Sequence, residues 1–234
     1  MKMKVGIMQP YFLPYIGYWQ LLNAVDKYVI YDDVNFIKGG WINRNRMLVN
    51  GEPKLFNIQM QGASPNKLIN EIEVSNNKVW KKKLLKTIEN SYRKAPFYTD
   101  VFPIIEEIIN YDECNLAKYL ANSIKKVCNY LNIETELIVS STLYKDNSLK
   151  AQEKVIAICK ELKATEYYNA IGGQELYSYE NFGADGIKLS FLKTNEIIYK
   201  QFDNSFISNL SILDILMFNS IEEIKSFLEN YELL

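Results

Sequence analysis

The first thirty residues constrain this chain most, because they read strand, turn, helix, strand. Residues 3–8, MKVGIM, form a short apolar run of the kind that makes a buried strand. Pro14 follows at a place suited to a helix start, where its missing N–H costs nothing. Apolar residues then recur at Ile16, Trp19, Leu22 and Val25, which is helical spacing. Tyr28, Val29, Ile30 and Tyr31 make a second β-prone run. The result is a βαβ unit, which demands two parallel strands and a right-handed crossover.

The remaining pattern extends that start. Asn50-Gly51, between NRMLV and EPKLFNI, signals a small β-hairpin. Residues 76–131 read as a helical block, with helices near 78–92, 97–110 and 115–131. Leu116, Leu120, Ile124, Val127 and Leu131 lie along one face of the last helix. TELIVSS, TEYYNAIGG and GIKLSFLK read as further strands. Ser148 is placed to cap the helix that follows it, and QELYSYENF reads as a short helix. Ser220 and Glu223 form a capping-box pattern at the head of a final helix over SIEEIKSFLENY. Strands alternating with helices predict an α/β class with a mainly parallel, Rossmann-like sheet. The expected organisation is one domain over 1–234, with 76–131 as a helical insertion.

Composition removes several function classes. The chain of 234 residues has a net charge of -1, which gives no footprint for nucleic acid or a membrane surface. No apolar run approaches the roughly 18 residues of a membrane span. The three cysteines, Cys114, Cys128 and Cys159, are odd in number and widely spaced. They fit buried thiols and a cytoplasmic setting. Histidine is absent, so Ser-His-Asp and Cys-His mechanisms are excluded. A Mg²⁺ held by one or two carboxylates stays open.

Three polar, turn-rich segments follow predicted strands, and ligands bind beyond the carboxyl ends of parallel strands. The first is QPYFLPYIGYWQ, residues 9–20. It offers Gln9, phenols at Tyr11, Tyr15 and Tyr18 to stack on a base or hold a sugar hydroxyl, and Gly17 to let backbone approach. The plainer reading seats the same tyrosines in the core. The second holds Asp32 and Asp33, candidates for a catalytic base or a Mg²⁺ ligand, or simply a strand-end turn pair. Beyond them lies Asn43-Arg44-Asn45-Arg46. Only three of the 27 cationic residues are arginine, and two of those sit here. Lysine cannot supply a planar bidentate fork, so Arg44 and Arg46 are candidates to clamp a diphosphate or carboxylate. A guarded hairpin edge is the alternative. The third segment carries Gly172 and Gly173, whose backbone N–H groups suit an anion, and Tyr177. Arg93 and Lys94 are further carboxylate or phosphate candidates.

The blocks QPYFLPYIGYW, YDDVNFIKGGWINRNRM, SYRKAPFY, YYNAIGGQELY and YKQFDNSFISNLSILDILMFN, in that order, resemble the WbqC-like family of bacteria. The resemblance spans nearly the whole chain. It implies a setting in O-antigen or other surface-polysaccharide biosynthesis, and glycine (aminoacyl) transfer to a sugar. It carries over no catalytic residues. Members of that family often have a histidine in the helix before SYRKAPFY, near Leu84, and this chain has none. A fainter likeness joins YIGY, Tyr15 to Tyr18, to the HxGH motif of cytidylyltransferase-like (HUP-type) domains. Phenols cannot replace the imidazolium charge on a transferring phosphate.

These readings give three expectations. The first is a transferase placing an acyl or aminoacyl group on a nucleotide-linked amino sugar. The second is a nucleotidyltransferase relative using Mg²⁺ and lysine. The third is a non-catalytic nucleotide-sugar-binding protein. A homodimer is compatible with each.

Overall fold

The computed structural model describes residues 2–202 and 205–234. Asp203 and Asn204, inside the last resembling block, lie outside the described residues.

The opening unit forms as its pattern demands. β1 (Lys4–Met8) leads through the turn to α1 (Ile16–Asn23) and β2 (Lys27–Ile30). β1 and β2 pair in parallel from Val5–Lys27 to Met8–Ile30. α1 is buried from Ile16 to Leu22, as befits a helix clasped on all sides. It starts two residues after Pro14, with Tyr15 as its cap residue.

β3 (Arg44–Val49) and β4 (Glu52–Asn57) form the expected hairpin. Asn50 and Gly51 both take positive φ, at 52° and 77°, which the two-residue turn requires. β5 (Met60–Gln61) and β6 (Glu73–Val74) make a short antiparallel ladder. The helical block follows as α2 (Val79–Tyr92), α3 (Tyr98–Asn110) and α4 (Leu116–Leu131). The five apolar residues on one face of α4 are all buried. Then come β7 (Glu136–Val139), α5 (Ala151–Glu161), β8 (Glu166–Ala170), α6 (Tyr179–Ala184) and β9 (Lys188–Thr194). α7 (Ile212–Phe218), α8 (Ile221–Glu229) and β10 (Tyr231–Leu233) complete the set.

The central sheet has the order β10-β9-β8-β1-β2-β7. All its pairings are parallel except that of β10 with β9. This is a doubly wound α/β fold, and strand order reverses between β1 and β8. Strand alternation sends Val5, Ile7, Val29 and Tyr167 into one core with α5 and α6. Tyr28, Ile30, Tyr168 and Leu192 enter the other, which runs continuously through α1, the helical block, α7 and α8. No helix among the described residues is long and apolar enough to cross a membrane.

Four local expectations are corrected. Ser148 does not cap α5, whose cap residue is Lys150 with no side-chain bond. Its N–H and hydroxyl instead donate to Asp146 Oδ1 at 2.8 and 2.7 Å, a local turn closed on the aspartate two residues upstream. QELYSYENF divides into a 3₁₀ helix at Ile171–Leu176 and α6, which Ser178 caps. The final helix keeps its Ser220–Glu223 capping box but stops at Glu229, and the chain turns back as β10. Cys128 and Cys159 are buried but Cys114 is exposed. Burial pushes the two enclosed thiols up to about 12, which leaves them chemically quiet.

Candidate functional site

The turn after β1 divides its aromatic residues between two tasks. Phe12 and Leu13 are fully buried anchors, and burying a side chain such as Phe12 contributes about 1.5–3 kcal/mol. Phe12 N–H donates to Ile42 O at 2.9 Å. Leu13 holds φ of 44°, a left-handed conformation that costs a non-glycine residue about 1–2 kcal/mol. Two donors offset that strain: Asn45 Nδ2 and Ser211 Oγ reach the Leu13 carbonyl at 2.8 and 2.6 Å. Pro14 O accepts from Trp19 Nε1 at 3.0 Å and from Ile212 N at 2.9 Å. The turn is thereby fastened to α1, to β3 and to the segment leading into α7.

Tyr11 and Tyr15 face the other way. With Pro14, Trp41, Asn45, Arg46 and Asn209 they line a cavity of about 300 Å³. Gly17 serves this wall by absence: a Cβ there would come within 2.6 Å of the Tyr15 ring and of Thr194 Oγ1. The Tyr15 ring therefore lies directly on the first turn of α1. Burial pushes the Tyr11 and Tyr15 phenols up, so both are neutral donors near pH 7.

The opposite wall comes from the hairpin. Arg44 and Arg46 share a face of β3, opposite Asn57 and Leu55 of β4. Trp41 lies across them, with its ring centroid 5.7 and 5.8 Å from the two guanidinium carbons. Arg44 turns back onto its own loop, donating to Gly40 O at 2.9 Å and to Gly39 O. Gly39 has φ of 76°, which places its carbonyl for that contact. Arg46 donates to Asn209 O at 3.1 Å. Its Nε is buried and has no hydrogen-bond partner among the described residues. Among the described residues neither arginine pairs with a carboxylate, and the cavity lining contains none.

Asp32 and Asp33 are placed quite differently. Asp32 accepts from Ser141 N and Oγ at 2.9 and 2.6 Å and from Asn70 Nδ2 at 3.2 Å. Asp33 Oδ2 lies 2.9 Å from Lys145 Nζ and 3.1 Å from Lys154 Nζ, and all three side chains are buried. Burial alone would raise the Asp33 carboxyl. The nearby Ser140 hydroxyl and the two ammonium groups outweigh it and hold the carboxyl below its ordinary value. Both carboxylates are occupied by internal partners and neither lines the cavity. No group of three or more His, Cys, Asp or Glu side chains suited to a metal ion occurs among the described residues.

The other candidates scatter. Tyr18 is a core residue, packed edge-on against Tyr28 at 5.4 Å with its hydroxyl on Gln9 O. Gln9 stands at the edge, accepting from Tyr11 OH at 3.5 Å. Asn43 donates to Ile58 O and, with Arg44, lines a second cavity. Arg93 and Lys94 are exposed at the end of α2. Gly172 and Gly173 follow β8 but lie outside the cavity, and Tyr177 packs on Tyr167 and Phe182 in the other core. The ligand-sized space is thus displaced from the strand-order switch point towards the hairpin. Sequence reasoning missed Trp41 and Asn209. The run GGWINRNR carried a signal for Trp41, an aromatic three and five residues ahead of the two arginines. Asn209 had no local signal.

A mycobacterial protein named "Uncharacterized protein Rv1507c", from Mycobacterium tuberculosis, is 28% identical over 217 residues. The alignment covers 91% of this chain and 92% of that one. No solved structure gives a significant match. The model of the WbqC-like protein family matches residues 9–226, beginning at the first residue of the aromatic turn and taking in both walls of the cavity. The chain belongs to the WbqC-like protein family.

Proposed function

We propose that the chain binds a nucleotide-linked sugar in the cavity between the β1–α1 turn and the β3–β4 hairpin, and acts in surface-polysaccharide biosynthesis as an acyl- or aminoacyltransferase on the sugar's amine. The carrying observation is Arg46, a guanidinium whose buried Nε has no partner among the described residues, in a cavity that no described carboxylate lines. A buried donor without a partner costs about 1–3 kcal/mol, which an anionic ligand oxygen would recover. Tyr11, Tyr15 and Trp41 supply flat faces for a base or a sugar ring, and family membership supports the polysaccharide setting.

In the transfer step the sugar amine attacks the carbonyl of an activated ester or thioester. The C–N bond forms as the C–O or C–S bond breaks, and the amine's proton passes to water or the leaving group. Asp32 and Asp33 do not supply the base, since both are held by internal donors. That same lack of a base in the lining favours a second reading, a nucleotide-sugar-binding protein without chemistry of its own.

Thermal unfolding with UDP-N-acetylglucosamine and UDP-glucosamine tests the binding. At ten times Kd the expected rise is about 3–6 °C, cut to about 1–2 °C or less in Arg46→Lys. No rise at millimolar ligand for any nucleotide sugar would end the proposal. Transfer of radiolabelled acyl groups to the bound amino sugar separates the two readings.

A further inference from the structure

A second cavity, of about 240 Å³, draws on the same strand as the first: Arg44 lines it, as Arg46 lines the first. Its polar lining is Lys38, Asn43, Arg44, Asn57 and Ser64, with Phe36 among its apolar walls. Among the described residues, two cations and no carboxylate line this space. Lys38 has no ion-pair partner among the described residues. Ser64 Oγ accepts from Asn66 N and keeps its own proton to donate. The register sets Arg44 directly opposite Asn57, so guanidinium and carboxamide point from neighbouring strands towards the same side.

The walls are fastened in place. Phe36 N–H donates to Lys67 O at 2.9 Å and Asn35 Nδ2 to Pro65 O at 2.9 Å. These bonds tie the loop before the hairpin to the loop after it. Arg44, through Gly39 O and Gly40 O, fixes the loop before the hairpin. Preorganised donors of one charge sign around an open space recognise an anion without a large ordering cost.

We infer that this second cavity is a subsite for a small molecule bearing a phosphate or carboxylate, held by Lys38, Arg44, Asn57 and Ser64. Under the transferase reading it receives the second substrate. That bisubstrate meaning rests on the proposed function; the anion site itself does not.

Titration calorimetry with inorganic phosphate and, separately, malonate distinguishes the two anion classes. One of them is expected to bind saturably to the wild-type chain. Lys38→Glu and Asn57→Asp, each placing a carboxylate in the exposed lining, should weaken that binding about tenfold or more, as losing a charged hydrogen bond does. Nucleotide-sugar binding should stay within about twofold in both variants, and Arg46→Lys should show the reverse pattern. The inference is overturned if neither anion binds, if both carboxylate variants bind the anion normally, or if Arg46→Lys alone removes it. Absence of nucleotide-sugar binding with intact, Lys38-dependent anion binding would sink the proposed function and leave this site standing.

Discussion

Two polar corners of this fold each carry a pair of charged side chains beside a strand and end in opposite states. At the end of β2, Asp32 and Asp33 meet two lysines, two serine residues and an asparagine, and each carboxylate has internal donors or cations around it. Beside β3, Arg44 and Arg46 meet an indole and backbone carbonyls, and Arg46 Nε is left without a partner. Charge and position beyond a strand made both look like sites. What separates them is charge already paired with opposite charge inside the fold against charge that meets no carboxylate among the described residues. The first corner reads as architecture, and the second carries the proposed ligand site.

The comparison is broken most sharply at Asp33. Asp33→Asn leaves two buried ammonium groups facing each other, and the expected loss is about 3–5 kcal/mol in urea unfolding. A loss under about 1 kcal/mol would show that the corner is not structural. Tyr92 offers a second test of used capacity. Its buried hydroxyl accepts from Leu48 N at 2.9 Å and donates to Asp214 Oδ1 at 2.8 Å. Tyr92→Phe orphans both groups and should cost about 1–3 kcal/mol.

Acid titration sharpens the same contrast. The Asp33 carboxyl is held below its ordinary value in the folded chain. Its contribution is therefore present above the unfolded value, about pH 4, and is lost as pH falls through the lower folded value. The melting temperature should drop across that acid window in the wild type and drop less in Asp33→Asn. Equal slopes in the two proteins would remove Asp33 from the account.

Gly17→Ala sits between the corners, since its methyl must displace the Tyr15 ring. Overpacking of this kind costs about 1–3 kcal/mol, and ligand affinity should fall with it. The smallest stability effect is expected for Arg46→Lys, within about 0.5 kcal/mol. Its ligand affinity should nonetheless fall about tenfold or more, because lysine lacks the fork. Large destabilisation without loss of binding would reverse the assignment of the two corners.

The opening βαβ unit was legible because periodicity at Ile16, Trp19 and Leu22 and the β-prone run at Tyr28 are local properties. The hairpin was legible because Asn50-Gly51 tolerates the positive φ that its turn needs. β10 was not, since three residues after a helix carry no period and gain their strand only from pairing with β9. Arg46 and Tyr15 could be suspected from rarity and from the turn they occupy. The displacement of the cavity from the switch point could not be, because Ser211 and Asn209 reach the turn from beyond residue 200. Adjacency of Asp32 and Asp33 said nothing of Lys145 and Lys154, which arrive from a loop and a helix over a hundred positions on.

Gln20, in the middle of α1, carries a consequence for how the molecule assembles. Its fully buried amide donates to Phe227 O at 2.7 Å and Asn230 O at 3.0 Å, acceptors 207 and 210 positions downstream. A ribosome must deliver more than two hundred residues before that donor finds its acceptors. The bond that ties the earliest helix to the end of α8 is thus among the last to be made, and contacts so distant in sequence make for slow closure.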